Sequence, residues 1–80
     1  MIWIKDPEVI NLWYSSDENG NRCEIEEHYN KNWHGFIYSI YHGRALLIKG
    51  QSSTLEEAKE NCVKSYNGLI QNLKDFVRKC

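Results

Sequence analysis

The sequence predicts an α+β domain: an antiparallel meander of three to four strands followed by a C-terminal helix on one sheet face. Three observations predict it. Arg22 to Tyr29 alternates with a period of two, Trp33 to Tyr41 is almost continuously apolar and aromatic, and a capped amphipathic stripe runs from Thr54 to the chain end. The 80 residues suit one domain, 1–80, with a thin core of two packed layers.

Taken in order, Ile2 to Ile4 is a short apolar piece that Asp6-Pro7 separates from the rest of the chain. Val9 to Tyr14 is rich in strand formers. Ser15 to Asn21 is a turn in which Asn19-Gly20 supplies the positive-φ position. In the next strand Cys23, Ile25 and Tyr29 fall on one face, and Arg22, Glu24, Glu26 and His28 on the other. Asn30 to Asn32 is a polar loop, and Trp33 to Tyr41 suits a central strand. His42-Gly43 is a two-residue hairpin turn into a last strand, Arg44 to Gly50.

Thr54 and Glu57 stand at capping-box spacing, so the helix is expected to start there. Glu56 and Glu57 at its start, and Arg78 and Lys79 at its end, complement the helix dipole. Leu55, Ala58, Cys62, Tyr66, Leu69, Leu73, Phe76, Val77 and Cys80 form one stripe. Gly68 interrupts it, so the helix should bend or break there, or overhang the sheet.

A three-residue loop pairs Tyr29 with Trp33, and the His42-Gly43 turn pairs Tyr41 with Arg44. Counting back, Ile25 opposes Ile37 and Ile37 opposes Ile48, and opposed residues share a face. The helix-facing set is then Cys23, Ile25, Tyr29, Trp33, Ile37, Leu46 and Ile48. The other face carries Glu24, Glu26, His28, His34, Phe36, Tyr38, Ile40, Leu47 and Lys49. An apolar patch rimmed by charges resembles an interaction site, and the first eight of these residues are the candidate partner-binding set. Three occupants remain open: the chain's own Trp3 and Trp13 segment, a second copy, or a protein partner.

Ten Lys+Arg against eleven Asp+Glu gives a net charge of −1, which argues against a nucleic-acid binder. The N-terminus is too soon polar for a signal peptide, and no apolar run is long enough to span a membrane. Cys23, Cys62 and Cys80 form no Cys-x-x-Cys pair, so reduced thiols in a cytoplasmic protein are expected. No phosphate loop, nucleophile elbow or metal pair at helical spacing occurs. His28 and His34, placed on one face near Glu26, are weighed as metal ligands but assigned no metal. No cofactor and no enzymatic activity are expected.

Trp33-x-x-Phe36, a hairpin into Gly50, and then Thr54-Leu55-Glu56-Glu57-Ala58-Lys59 span a stretch, about residues 22–66, that resembles two groups. One is the N-terminal domain of HicB-type antitoxins. The other is the set of small phage-encoded sheet-plus-helix proteins, some of which inhibit host defence systems such as CRISPR nucleases. The resemblance implies a non-enzymatic protein-binding module, an inhibitor of a host protein such as a defence nuclease complex, acting in the host cytoplasm. The alternative it implies is an antitoxin-type or nucleic-acid-binding domain using sheet aromatics. The strand–strand–strand–helix order is also similar to the double-stranded RNA-binding domain. Glu56 and Glu57, however, stand where that domain opens its helix with lysines.

Overall fold

A computed structural model of the chain describes residues 1–79, with side chains described through residue 72. Five strands form one antiparallel sheet in sequence order: β1 (Ile4–Lys5), β2 (Leu12–Ser16), β3 (Asn21–Tyr29), β4 (His34–His42) and β5 (Ala45–Ser52). Helix α1 (Leu55–Lys79) comes after them. The protein is therefore α+β, with one strand more than the three to four expected.

The extra strand is β1, whose Ile4 and Lys5 pair with Tyr14 and Trp13. Strand β2 starts at Leu12 rather than Val9. The Asp6 carboxylate accepts the amides of Glu8 (2.8 Å) and Val9 (2.9 Å), which turns the chain there. Val9 and Ile10 are left exposed.

Register is where expectation and structure part. Tyr29 pairs with His34, not Trp33. The Asn30 side chain accepts the amides of Asn32 (2.9 Å) and Trp33 (2.8 Å), and the Asn30 amide bonds the Trp33 carbonyl (3.0 Å). The chain therefore reverses at Lys31-Asn32, and the partner of Tyr29 falls one residue later than a three-residue loop would place it. Ile25 opposes Tyr38, and Glu26 opposes Ile37. The next turn is Gly43-Arg44, closed by His42 opposite Ala45, with Gly43 at φ 59°. An irregularity between Ile40 and Tyr41 leaves Leu47 unmatched, because Tyr41 opposes Leu46 while Ile40 opposes Ile48.

One slip exchanges the faces of a strand. Phe36, Tyr38 and Ile40, expected on the open face, lie under the helix, whereas Ile37 lies on the open face. The core has two parts. Cys23, Ile40 and Cys62 form one, joined by Trp3, Tyr38, Ile48, Tyr66 and Leu69. Ile25, Phe36 and Ala58 form the other, joined by Trp3, Trp13, Tyr38 and Leu55. Trp3 and Trp13 thus pack on the helix side and do not roof the opposite face. Trp13 meets Phe36 edge-on at 6.1 Å. The Tyr38 ring fills the space above Gly50, where a Cβ would stand 2.3 Å from it.

The helix begins as its cap predicts. The Glu57 amide donates to the Thr54 hydroxyl (3.1 Å), and Asn61 ties the second turn to Ser52 (3.0 Å). The helix runs unbroken through Gly68. Twenty-five residues at about 1.5 Å each exceed the length of the strands, so α1 overhangs the sheet. The molecule is accordingly elongated, at 49 × 25 × 20 Å. The expected stripe side chains Leu73, Phe76 and Val77, the charges of Arg78 and Lys79, and Cys80 lie outside the described side chains.

Candidate functional site: the open sheet face

With the helix on one side, the register defines what the other side presents. Strand β3 gives a central charged column of Arg22, Glu24, Glu26 and His28. Apolar columns flank it: Leu12 and Tyr14 on β2, and Ile37 and Tyr41 on β4. Beyond these lie Ile4 on β1, and Leu46, Lys49 and Gln51 on β5. Leu12, Tyr14, Ile37 and Tyr41 are half-buried, while Ile4 and Leu46 are exposed.

Contacts within the face order its charges. Arg22 bonds Glu24 (Nε to Oε1, 2.7 Å) and lies over the Tyr14 ring at 4.3 Å. The guanidinium thus holds an acid on one side and an aromatic plane on the other. Glu26 is less engaged, with only a longer approach to His28 (3.5 Å) and a side chain more than half exposed. Trp33 covers the hairpin end of the face. Its ring lies over Gly35, where a Cβ would stand 2.3 Å away.

Of the eight candidate residues, three are on this face: Glu24, Glu26 and His28. Phe36, Tyr38 and Ile40 belong to the helix side. Leu47 is exposed at the irregular end of β5. His34 also projects to the helix side, beyond the helix start, where it bonds Glu27 (2.7 Å) and stacks near Tyr29 (4.6 Å). His28 and His34 therefore point away from each other, which removes the geometry of a shared metal site. Among the described residues, no three His, Cys, Asp or Glu side chains are placed to hold a metal ion. The β4 residues that the open face gains are Ile37 and Tyr41. It also gains Leu12 and Tyr14 from β2, a strand whose register no short hairpin in the sequence defines.

A second polar constellation lies at the β2–β3 turn. The Asp17 carboxylate accepts the amides of Asn19 (2.8 Å) and Asn21 (3.0 Å), the Asn21 side-chain amide (2.8 Å), and the Tyr66 hydroxyl from the helix. Buried Asn21 passes the chain on to His42 (2.9 Å). The Tyr66 and Asn21 donors hold the Asp17 carboxyl well below the ordinary carboxylate range. The same bond raises the Tyr66 hydroxyl to about 12. Every strong acceptor position of Asp17 is used, so this is a clamp between turn and helix rather than a reactive acid. Nothing in the sequence distinguishes Asp17 from an ordinary turn residue.

No helix among the described residues is long and apolar enough to cross a membrane. No family model, no curated protein and no solved structure matches this chain.

Proposed function

We propose that the chain is a non-enzymatic protein-binding module whose binding surface is the open sheet face. The observation that carries this reading is that one helix covers one sheet face, while the other combines half-buried Leu12, Tyr14, Ile37 and Tyr41 with a charged column. Apolar area of this kind, next to oriented charges, is the composition of an interface. Glu26, the less engaged of the two acids in the column, favours a partner that places a Lys or Arg between the two apolar columns. The acids at the centre of the face repel phosphate, which disfavours the nucleic-acid alternative. Within this reading, the resemblance to phage-encoded inhibitors makes a host defence nuclease complex the first partner class to try, and a second copy of the chain the next.

The test is to isolate the partner on immobilised protein, purify it, and compare dissociation constants for Tyr41→Ala and Tyr29→Ala. Tyr29 is exposed off this face. Tyr41→Ala should weaken binding by about 2 kcal/mol, roughly 30-fold, and Tyr29→Ala by little. Sedimentation at rising concentration reads the second-copy case in the same way. Equal effects of the two substitutions, or none from either, would remove the open face as the site.

A further inference from the structure

Cys23 and Cys62 are the two free cysteines among the described residues, and the proposed function uses neither. They meet across the two layers of the fold, Cys23 on β3 and Cys62 on α1, in one core cluster. Their neighbours bring the layers close. Ala58 stands one helical turn before Cys62, and both are fully buried small side chains, so the helix backbone rides near the sheet. One turn further on, Tyr66 is fastened to Asp17, which holds the helix in place beside Cys23.

The two thiols are not equivalent. A cavity of about 490 Å³ opens between the β2–β3 turn, the helix and the first residues of the chain. It is lined by Met1, Ile2, Ser15, Asp17, Tyr66 and Cys23, but not by Cys62. The Cys62 neighbour lowers the Cys23 thiol, while the Cys23 neighbour and burial raise that of Cys62. Of the pair, Cys23, 1% exposed, is the one shifted down and the one that lines the cavity, while Cys62 is fully buried behind it.

We propose that Cys23 and Cys62 are a redox-active dithiol, oxidised to a disulfide between sheet and helix by a small disulfide such as glutathione disulfide, with Cys23 as the attacking thiol. The Cys23 thiolate attacks one sulfur of glutathione disulfide, the S–S bond breaks, and one glutathione leaves as thiolate. Cys62 gives up its proton and attacks the Cys23 sulfur of the mixed disulfide, releasing the second glutathione. Two protein thiols are oxidised, one glutathione disulfide is reduced to two thiols, and the two thiol protons end on them. The cavity holds the transient adduct. The product closes the loop between residues 23 and 62 covalently, which restricts the unfolded chain and fixes the helix on the sheet.

The experiment uses the full chain carrying Cys80→Ser, incubated in glutathione buffers of increasing oxidised fraction and trapped with acid and alkylating agent. The expected product is an intact mass lower by the two thiol hydrogens, a Cys23–Cys62 linked peptide, and a higher thermal midpoint that reductant reverses. In Cys62→Ser the resolving thiol is gone, and a glutathione adduct on Cys23 should accumulate. The proposal is overturned if both thiols stay alkylatable in native buffer while the same oxidant links them in denaturant. It is equally overturned if the native protein stops at an adduct despite intact Cys62, or if the adduct in the parent forms on Cys62 rather than Cys23. Should Cys62→Ser fail to fold, the linked peptide and midpoint shift of the parent decide the matter alone.

Discussion

Ile37 and Ile40 lie three residues apart on β4, on opposite faces, and truncating each to Ala tests the whole arrangement. Ile40 is fully buried against Cys23 and Cys62. Removing the equivalent of three methylene groups forfeits about 2.4 kcal/mol of transfer free energy, at about 0.8 kcal/mol each. The cavity left behind adds to this, and Ile→Ala in a closed site costs about 2–5 kcal/mol. An 80-residue domain holds about 4–12 kcal/mol in all, so Ile40→Ala should remove a large share of the stability and lower the urea midpoint accordingly. Ile37 is half-buried on a face open to water. It loses about half the transfer term and leaves no enclosed cavity, so its cost is about 1 kcal/mol, or about 4–8 °C in midpoint. Urea denaturation followed by tryptophan fluorescence and far-ultraviolet circular dichroism measures both. A cost for Ile37→Ala equal to or above that of Ile40→Ala would mean that the faces are reversed. A cost for Ile37→Ala that grows with protein concentration would instead mean that a second copy covers the open face.

Tyr66→Phe should remove the clamp donor that the helix supplies from Tyr66 and cost about 1 kcal/mol at neutral pH. Because the folded Asp17 carboxyl is held below its ordinary value, the contribution is complete above the unfolded pKa of 3.8 and is lost as pH falls below it. The parent should therefore lose stability more steeply than Tyr66→Phe between neutral pH and strong acid, and parallel acid profiles would sink the clamp. Thr54→Ala should cost about 1 kcal/mol through the lost cap, and Thr54→Ser should restore most of it; thermal melts that do not distinguish the three would remove the cap.

Local chemistry decides which elements are legible in the sequence. The helix start needs only Thr54 and its neighbours, and the β3 alternation separates Cys23 and Ile25 from Glu24 and Glu26 without help from any other strand. Strand β4 carries no such signal. Phe36, Tyr38 and Ile40 on one parity are as apolar as Ile37 and Tyr41 on the other, so its facing depends entirely on the loop before it. That loop is set by one side chain, Asn30, which accepts two amides and shifts the pairing of β4 by one residue. The partner of the Tyr66 hydroxyl, 49 residues away, is beyond any local pattern.

The slip on β4 also changes the character of the candidate surface. With Phe36, Tyr38 and Ile40 outward, the face would have been a greasy centre with an acidic rim, suited to burying an apolar knob. With Ile37 and Tyr41 outward, the charges run down the middle and the apolar side chains flank them. A flat apolar partner cannot satisfy such a surface, because pressing it down would strip water from Glu26 without returning a hydrogen bond. A partner must supply a donor along the β3 column and apolar contact on both sides of it. Arg22 already does this within the chain: its guanidinium bonds Glu24 while lying on Tyr14. Glu26, between Leu12 and Ile37, is the neighbouring position where the same arrangement is open to a side chain from another protein.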